Sequence, residues 1–313
     1  MTHPKPCPPA RTLQSAFDAV AARSGVTVRV QHRQGMIFWA VARTTGNVVG
    51  TVRSGSLARR DAGPRLGVLN DHLDRVVRQV RARADDTVYF CHESGHEPTT
   101  DSESLAGRGF KVSEQFPPTI GLEVTAAGVE DAMRTFYRKV EVSTDASAGR
   151  RGWTGTGWII DFGQGSVPSL SQSAYRGGSI LEAELQAILR GLKEAAIRIP
   201  HGLTDGCDII VRSDSKWALR MLTQPGWSPA GASIAALDVV PLIHAAARGL
   251  RVDFSWVKGH CGDPGNEIAD RLAVMSRRHA EMDIPAEICH QNLEALRCEV
   301  TEGDAQIAHS LAA

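Results

Sequence analysis

This 313-residue sequence has no apolar run near the roughly 20 residues needed to cross a membrane. Aromatic residues make up only 5% of the chain, and its six cysteines include no C-x-x-C pair. The simplest interpretation of such cysteines is free thiols in a reducing cytoplasm. The first ten residues lack an apolar core, so we expect a disordered leader and no signal peptide. These absences favour a cytoplasmic globular protein.

The chain has no net charge, but its charges are unevenly distributed. Residues 1–83 contain 14 Lys/Arg and four Asp/Glu, whereas residues 84–135 contain three and ten. A basic first part of the chain is what a phosphate-binding region would have, so nucleic acid is a candidate partner for it. A solvated basic surface is the alternative, because arginine-rich composition also accompanies GC-rich genomes.

Residues 11–118 are predicted to form a smaller, N-terminal α+β accessory domain. The predicted elements are a helix, three strands, a second helix and a fourth strand, at residues 11–24, 26–30, 36–42, 47–52, 66–80 and 87–91. The pattern fades after residue 93, apart from a short element at 107–112. This order echoes the second half of the chain, so the domain is either a separate α+β fold or a degenerate copy of the second domain. The run from Met36 to Val41 has no aspartate, so such a copy is predicted to be inactive.

The segment from Phe254 to Asp270 is the most informative stretch of the sequence. It reads as a strand, a glycine-rich turn and a helix with an apolar stripe. His260 lies on the turn, and Asp270 lies on a different face of the helix from Ile268 and Leu272. A mobile imidazole beside a fixed carboxylate suggests chemistry, although a helix-starting turn with a solvated aspartate fits the segment equally well.

Three further acids lie at the ends or margins of apolar elements. Asp145 ends one strand-like run, Asp214 ends another, and Glu184 lies in a helix with an apolar stripe. Carboxylates beside a core are costly unless they are paired or bound to metal. Each acid alone is more simply a solvated side chain. All three in this order, together with the His260 turn, are a rarer coincidence.

With these motifs, residues 138–280 resemble the catalytic domain of type 1 ribonuclease H. Asp145 matches the aspartate of the family's first strand, Glu184 the glutamate of its A-E-L-x-A-type helix, and Asp214 its Asp-Ser pair. The family's W-V-K-G-H…N-E-x-x-D segment matches Trp256 to Asp270. The resemblance implies an α/β fold with a ribonuclease H-like mixed five-stranded sheet and flanking helices. Its strands are expected at residues 139–145, 154–161, 171–176, 208–213 and 251–257.

The expected organisation of the chain follows from this match. The predicted segments are a leader, the accessory domain, a linker or helix, the catalytic domain and a C-terminal tail, at residues 1–10, 11–118, 119–137, 138–280 and 281–313. The tail is predicted to contain a helix around Ile288 to Val300.

The resemblance also implies an activity and a metal site. The family's activity is metal-dependent hydrolysis of the RNA strand of RNA–DNA hybrids by a two-metal-ion mechanism. Asp145, Glu184, Asp214 and Asp270 would bind two Mg²⁺ ions, with Mn²⁺ as an alternative, because hard cations prefer carboxylate oxygens. His260 would assist proton movement or product release. Glu182 competes for the helix position, and the motif favours Glu184.

Substrate contacts are implied for a further set of residues: Ser147, Ser179, Ser215 and Asn266. Two departures from the family put hybrid selectivity in question. Ile180 and Leu181 precede the helix glutamate, where many members have polar residues that touch 2′-OH groups. The basic, tryptophan-containing protrusion of the family is also absent. A non-catalytic nucleic-acid-binding protein and a DNA nuclease of the same fold are therefore the alternatives.

Overall fold

The computed structural model describes residues 24–58, 67–81, 86–92, 105–113, 119–163 and 166–311. The chain divides into two compact units, Met1–Met133 and Arg134–Ala313. The predicted leader lies outside the described residues, as does the helix predicted from residue 11 as far as residue 23. Each unit is built around its own five-stranded sheet.

The first unit is a mixed sheet with helices. Its elements are β1 (Ser24–Arg33), β2 (Met36–Thr45), β3 (Val48–Ala58), α1 (Gly67–Val80), β4 (Thr87–His92), β5 (Val112–Ser113) and α2 (Thr119–Phe136). The strand order is β3-β2-β1-β4-β5, with β1 to β3 antiparallel and β4 and β5 parallel to the sheet's middle strand and to each other. The strands and helix predicted between residues 26 and 91 are all present.

Alternation along β1 explains how this sheet binds its helices. Val26 and Val28 point to one face, where they join a buried cluster that includes Leu69 and Leu73 of α1. Thr27 points to the other face, where α2 approaches closely because Gly121 has no side chain to clash with it. The predicted linker or helix at residues 119–137 is therefore a helix, α2, whose Gly121 and Gly128 lie against Thr27 and Ala40 of the first sheet.

The second unit contains the remaining elements. These are β6 (Lys139–Ala148), β7 (Trp153–Asp161), β8 (Ser169–Arg176), α3 (Ile180–Arg198), a 3-10 turn (Thr204–Gly206), β9 (Asp208–Ser213), α4 (Lys216–Thr223), α5 (Ile234–Ala246), β10 (Arg251–Trp256), α6 (Pro264–Glu281) and α7 (Ala286–Leu311). The strand order is β10-β9-β6-β7-β8. Strands β6 to β8 are antiparallel, whereas β9 and β10 run parallel to β6. The expected ribonuclease H-like mixed sheet is confirmed.

Glycines allow two helices to pack closely on opposite faces of this second sheet. Gly191 of α3 lies against Val142 and Thr144, which share one face of β6. Gly155 and Gly157 of β7 lie directly under α6, where added side chains would overlap that helix. The middle strand is therefore covered by α3 on one side and by α6 on the other, and both helices carry predicted site residues.

The predicted tail contains the long helix α7. Leu296 of α7 is buried in a cluster with Ile159, Leu170 and Leu272, so the helix covers part of the second sheet and α6. Among the residues with described positions, no helix has both the length and the apolar content needed to span a membrane.

The two sheets have the same topology when their strands are counted within each unit. In both, a strand of six residues, β4 or β9, runs parallel to the first strand, and the register pairs Thr87 with Gly25 and Asp208 with Lys139. When these pairs are matched, Gln31 occupies the position of Asp145. The prediction that took Met36 to Val41 as the equivalent run was wrong, because that run lies in the antiparallel neighbour β2. The two units thus share one strand order, and the degenerate copy stays a prediction.

Candidate active site

Three carboxylates converge at one end of the middle strands of the second sheet. Asp145 lies on β6, Glu184 lies on α3, and Asp214 follows β9 directly. An oxygen of each lies within 4.8 Å of the others. Asp145 and Glu184 are only 5% and 6% exposed. The adjacent parallel strands β6 and β9 bring the two aspartates together, and the close packing of α3 on β6 adds the glutamate.

Local backbone features hold each acid in place. The backbone N–H of Ala146 donates to Asp145 Oδ1 at 2.7 Å. The indole Nε1–H of Trp256 donates to the backbone oxygen of Asp214 at 3.1 Å. Gly259 lies so near that an added Cβ would overlap Asp214 Oδ2. The glycine of the W-V-K-G-H turn is therefore needed for space around the Asp214 carboxylate.

Burial and neighbouring charges raise the pKa values of two acids of the cluster. Burial raises the pKa of Asp145 to about 7, assisted by the charges of Asp214 and Asp270 and opposed by the Ala146 hydrogen bond. Burial, followed by the charges of Asp145 and Asp214, raises the pKa of Glu184 well above its usual value. Among the described residues, buried Glu184 Oε2 has no hydrogen-bond partner. Buried, mutually repelling carboxylates with a free oxygen fit a divalent cation.

Asp270 and His260 lie outside this tight group. Asp270 is half-buried on α6, and its charge contributes to the raised pKa of Asp145. His260 is exposed on the turn before α6, with a positive φ of 52° that is uncommon for a residue other than glycine. The structure thus brings three of the four predicted metal ligands together and places the fourth on a separate helix.

The predicted substrate contacts have structural partners of their own. Ser179 and Ser215 are the N-caps of α3 and α4, accepting from the backbone N–H groups of Glu182 and Ala218. Ser147 accepts from Arg277 Nε at 3.0 Å. In these hydrogen bonds each hydroxyl oxygen accepts, so the bonds do not use its O–H proton.

The structure argues against a direct substrate contact by Asn266. Its side chain is 1% exposed, and its amide nitrogen and oxygen find no partner among the described residues. A side chain this deeply buried at the start of α6 cannot touch a bound duplex without local rearrangement. The motif alone did not reveal this burial.

Two cation–aromatic pairs were also missed in the sequence analysis, and their cations follow Asp214 within a few residues of the sequence. Lys216 Nζ lies 4.3 Å from the centre of the Trp256 ring, and Arg220 lies 4.2 Å from that of Trp227. Trp256 is 46% exposed and hydrogen-bonds the backbone oxygen of Asp214, so the Lys216–Trp256 pair lies next to the backbone of that residue. Its signal in the sequence was a lysine that directly follows Asp214-Ser215.

A mixed sheet with helices on both faces and buried carboxylates at the ends of its middle strands defines an α/β protein with a candidate metal centre. A profile of the RNase H family matches residues 137–278. A ribonuclease H of Chromohalobacter salexigens is 31% identical over 144 residues, which cover 43% of this chain and 82% of the relative. The chain therefore belongs to the ribonuclease H family, through its second unit.

Other relatives are covered over shorter segments. The chain is 36% identical over 93 residues to a ribonuclease H of Methylorubrum extorquens, covering 28% of this chain and 41% of the relative. It is 39% identical over 87 residues to a ribonuclease H of Xanthomonas axonopodis pv. citri, covering 25% of this chain and 58% of the relative. The chain thus spans about half the length of these two relatives.

Two solved structures match the chain over a little less than half its length. RNase H1 from Halobacterium salinarum has a TM-score of 0.37 at 22% identity, covering 44% of this chain and 96% of the other. LC11-RNase H1, solved with an RNA/DNA hybrid, has a TM-score of 0.37 at 18% identity, covering 45% of this chain and 98% of the other.

Proposed function

We propose that this protein is a metal-dependent endoribonuclease that hydrolyses the RNA strand of RNA–DNA hybrids by a two-metal-ion mechanism. The observation that carries the proposal is the buried cluster of Asp145, Glu184 and Asp214, whose oxygens lie within 4.8 Å of one another. Family membership supports the reaction class. A hybrid bound to the related LC11-RNase H1 supports the substrate class.

The four acids have distinct parts in this proposal. Asp145, Glu184 and Asp214 would hold the divalent cations, Mg²⁺ or Mn²⁺, with Asp270 completing the ligand set from α6. When bound, two such ions would supply an activated water and charge stabilisation for the leaving oxygen. Because the pKa values of Asp145 and Glu184 are raised, these two acids would release bound protons on binding a cation.

The remaining residues of the site act on protons and on the substrate. His260, exposed on its turn, transfers a proton near the leaving group or promotes product release. Lys216 offers a positive charge to a backbone phosphate. The hydroxyls of Ser147, Ser179 and Ser215 have protons to donate to 2′-OH groups, and Ser179 is the exposed one of the three.

One experiment tests the reaction and the substrate together. Labelled RNA–DNA, RNA–RNA and DNA–DNA duplexes of one sequence are incubated with the full chain in Mg²⁺, Mn²⁺ or EDTA and resolved on a gel. We expect cleavage of the RNA strand of the hybrid alone, and only with metal. Binding without cleavage would instead establish a non-catalytic nucleic-acid-binding protein. Cleavage of DNA would establish a DNA nuclease of this fold.

The cytoplasm is the proposed compartment. Among the described residues, Cys91, Cys207, Cys261, Cys289 and Cys298 are all free thiols. Free thiols are typical of a reducing environment. Mass spectrometry of the protein from its native cells, alkylated before lysis, tests this, since thiols paired as disulfides would contradict it.

A second proposal concerns the first unit, which we propose binds nucleic acid through its arginines. Residues 1–83 carry 14 Lys/Arg against four Asp/Glu, and Arg53 of β3 and Arg75 of α1 are exposed. Each phosphate neutralised by such a side chain releases counterions, so this contribution should weaken steeply with salt. It would be blind to sequence, because phosphate contacts position a duplex without specifying bases.

Point variants of the full chain test this proposal. They are preferable to deleting the first unit, because a shortened chain that begins near residue 120 or 125 would start inside α2. Anisotropy of a labelled hybrid is measured across a salt series for the parent and for an Arg53→Gln/Arg75→Gln variant. We expect weaker binding and a slope of log affinity against log salt shallower by up to about 2. Lys193→Gln, on an exposed face of α3, is the matched control. If the double variant has the same slope of log affinity against log salt as the parent, the proposal is contradicted.

A further inference from the structure

One arginine links the three elements that carry three of the four acids. Arg212 lies on β9, two residues before Asp214. Its Nη2 contacts Glu141 Oε2 at 3.0 Å, and Glu141 lies on β6, the strand of Asp145. Its Nη1 donates to Asp263 Oδ2 at 3.2 Å. Asp263 is the N-cap of α6, the helix of Asp270.

Asp263 uses its two carboxylate oxygens for different tasks. Oδ1 accepts from the backbone N–H of Asn266 at 3.0 Å and so caps α6, while Oδ2 receives Arg212. The start of the helix is thereby linked to the sheet by a charged hydrogen bond through Asp263, beside the close contact of Gly265 with Ser143 of β6. The His260 turn lies immediately before this attachment, and Asp270 lies two helical turns after it.

The acids differ in what holds them. Asp145, Glu184 and Asp214 belong to elements joined by strand pairing or by the close packing of α3 on β6. Asp270 depends on α6, which packs over Gly155 and Gly157 and whose last turns are hydrogen-bonded to the sheet through Ser276 and Arg277. Apolar and glycine packing is not directional, so it sets the position of the first turn along the sheet less strictly than a forked ion pair does.

We propose that Arg212 is a positioning residue, which fixes the first turn of α6 on the sheet and so aligns Asp270 and the His260 turn with the three-acid cluster. This inference rests on the proposed function. Arg212 suits the task because its planar guanidinium reaches two carboxylates on different elements at once, whereas a lysine would hold one. The arginine acts through Asp263 and touches neither metal nor substrate.

Three variants of the full chain test the proposal, each by Mn²⁺ calorimetry without substrate and by steady-state hydrolysis of one hybrid. Arg212→Met removes the link and keeps much of the side chain's apolar length. Asp263→Asn keeps a capping oxygen for α6 but removes the carboxylate that Arg212 binds. Arg212→Lys retains one of the two contacts.

We expect Arg212→Met to weaken Mn²⁺ binding and to lower kcat about tenfold, the lower end for residues that orient metal ligands. KM should change by less than about twofold, because the substrate contacts are untouched. Asp263→Asn should lower Mn²⁺ affinity and kcat as much as Arg212→Met does. The double variant Arg212→Met/Asp263→Asn should lose no more than either single variant. Arg212→Lys should have values between those of the parent and those of Arg212→Met. The control is Arg251→Met, which removes an ion pair to Asp208 at the other end of β9.

Parent Mn²⁺ affinity and parent kcat in Arg212→Met would overturn the proposal, and so would additive losses in the double variant. Equal losses in Arg251→Met would show a general loss of stability instead of positioning. If the parent chain binds Mn²⁺ but does not cleave the hybrid, the proposed function fails while calorimetry still tests Arg212. A parent chain that binds no Mn²⁺ would overturn both.

Discussion

The two units of this chain share a sheet topology and differ in what lies at the ends of their middle strands. In the first, β1 carries valines toward α1, and Gln31 occupies the position that corresponds to Asp145. In the second, β6 carries Val140 and Val142 in the same way, and the buried carboxylate of Asp145 follows on the same strand. The sheet thus folds with or without the acids, and function depends on the site and not on the fold.

The difference also has a cost in stability. Asp145 and Glu184 are buried beside each other's charge, and both pKa values are raised. A neutral glutamine at the corresponding position avoids this repulsion. The second unit therefore keeps a strained charge arrangement that a cation would relieve, which is the pattern expected of a binding site and not of a scaffold.

The strongest test of the contrast makes the second sheet resemble the first. Asp145→Asn places an amide where the first unit has Gln31, and it removes an anionic ligand from the cluster. We expect hydrolysis of the hybrid to fall by about a thousandfold or more, since several kcal/mol of charge stabilisation depend on the bound metal. The fold should be kept, and in EDTA at neutral pH the melting temperature should rise, because the amide carries no charge into the cluster.

Two observations would contradict this reading of Asp145. Cleavage by Asp145→Asn at the parent rate would refute its assignment as a ligand. Conversely, Gln31→Asp, in an Asp145→Asn background, should restore neither Mn²⁺ binding nor activity. Restoration would mean that the first unit retains a latent site.

A smaller loss is expected from His260→Ala. The imidazole lies on an exposed turn outside the acid cluster, so the metal would still carry most of the charge stabilisation. Turnover should slow by about a hundredfold, the lower end for a group that transfers a proton. His201→Ala, another exposed histidine on a turn, is the control. A loss as complete as that of Asp145→Asn would instead make His260 a ligand or an indispensable base.

A third test leaves every acid and the histidine in place. Gly259→Ala adds a Cβ that overlaps Asp214 Oδ2, so the carboxylate must turn away from its neighbours. We expect kcat to fall about tenfold, as for other residues that orient a ligand. In Gly206→Ala the added Cβ meets nothing within 4 Å, which makes that variant the control. Unchanged rates in both would show that Asp214 tolerates the displacement.

The mildest test follows stability with pH in EDTA. Because the folded-state pKa of Asp145 is about 7 against an ordinary 3.8, the folded chain binds more protons than the unfolded chain between these values. The free energy of unfolding should therefore fall as pH rises from about 4 to about 7, by on the order of a few kcal/mol. Urea titrations at several pH values measure this slope, which Asp145→Asn should reduce and Mg²⁺ should oppose at neutral pH. A slope unchanged by Asp145→Asn would assign the effect to other groups.

Much of the second unit was predictable because its signals are local. Alternating apolar residues identify the strands, and Ser179 and Asp263 mark the starts of α3 and α6 by capping. Only a family motif favoured Glu184 over Glu182 as the helix acid of the site. In the structure, Glu184 is the one of the two that joins the acid cluster. The burial of Asn266 was not predictable, because the residue's neighbours in space come from distant parts of the chain.

The amino-acid sequence by itself determined the element order of both units, the four acids and the His260 turn. The element order depends on periodicity and capping, which act over a few residues, whereas the four acids and His260 were chosen by the resemblance of their motifs to ribonuclease H. Only the tertiary structure decided that Gln31 corresponds to Asp145, that Gly259 must leave room for Asp214, and that Arg212 joins β6, β9 and α6. Each of these depends on strand register or helix packing, which bring together side chains that are far apart in the chain and that no local pattern pairs.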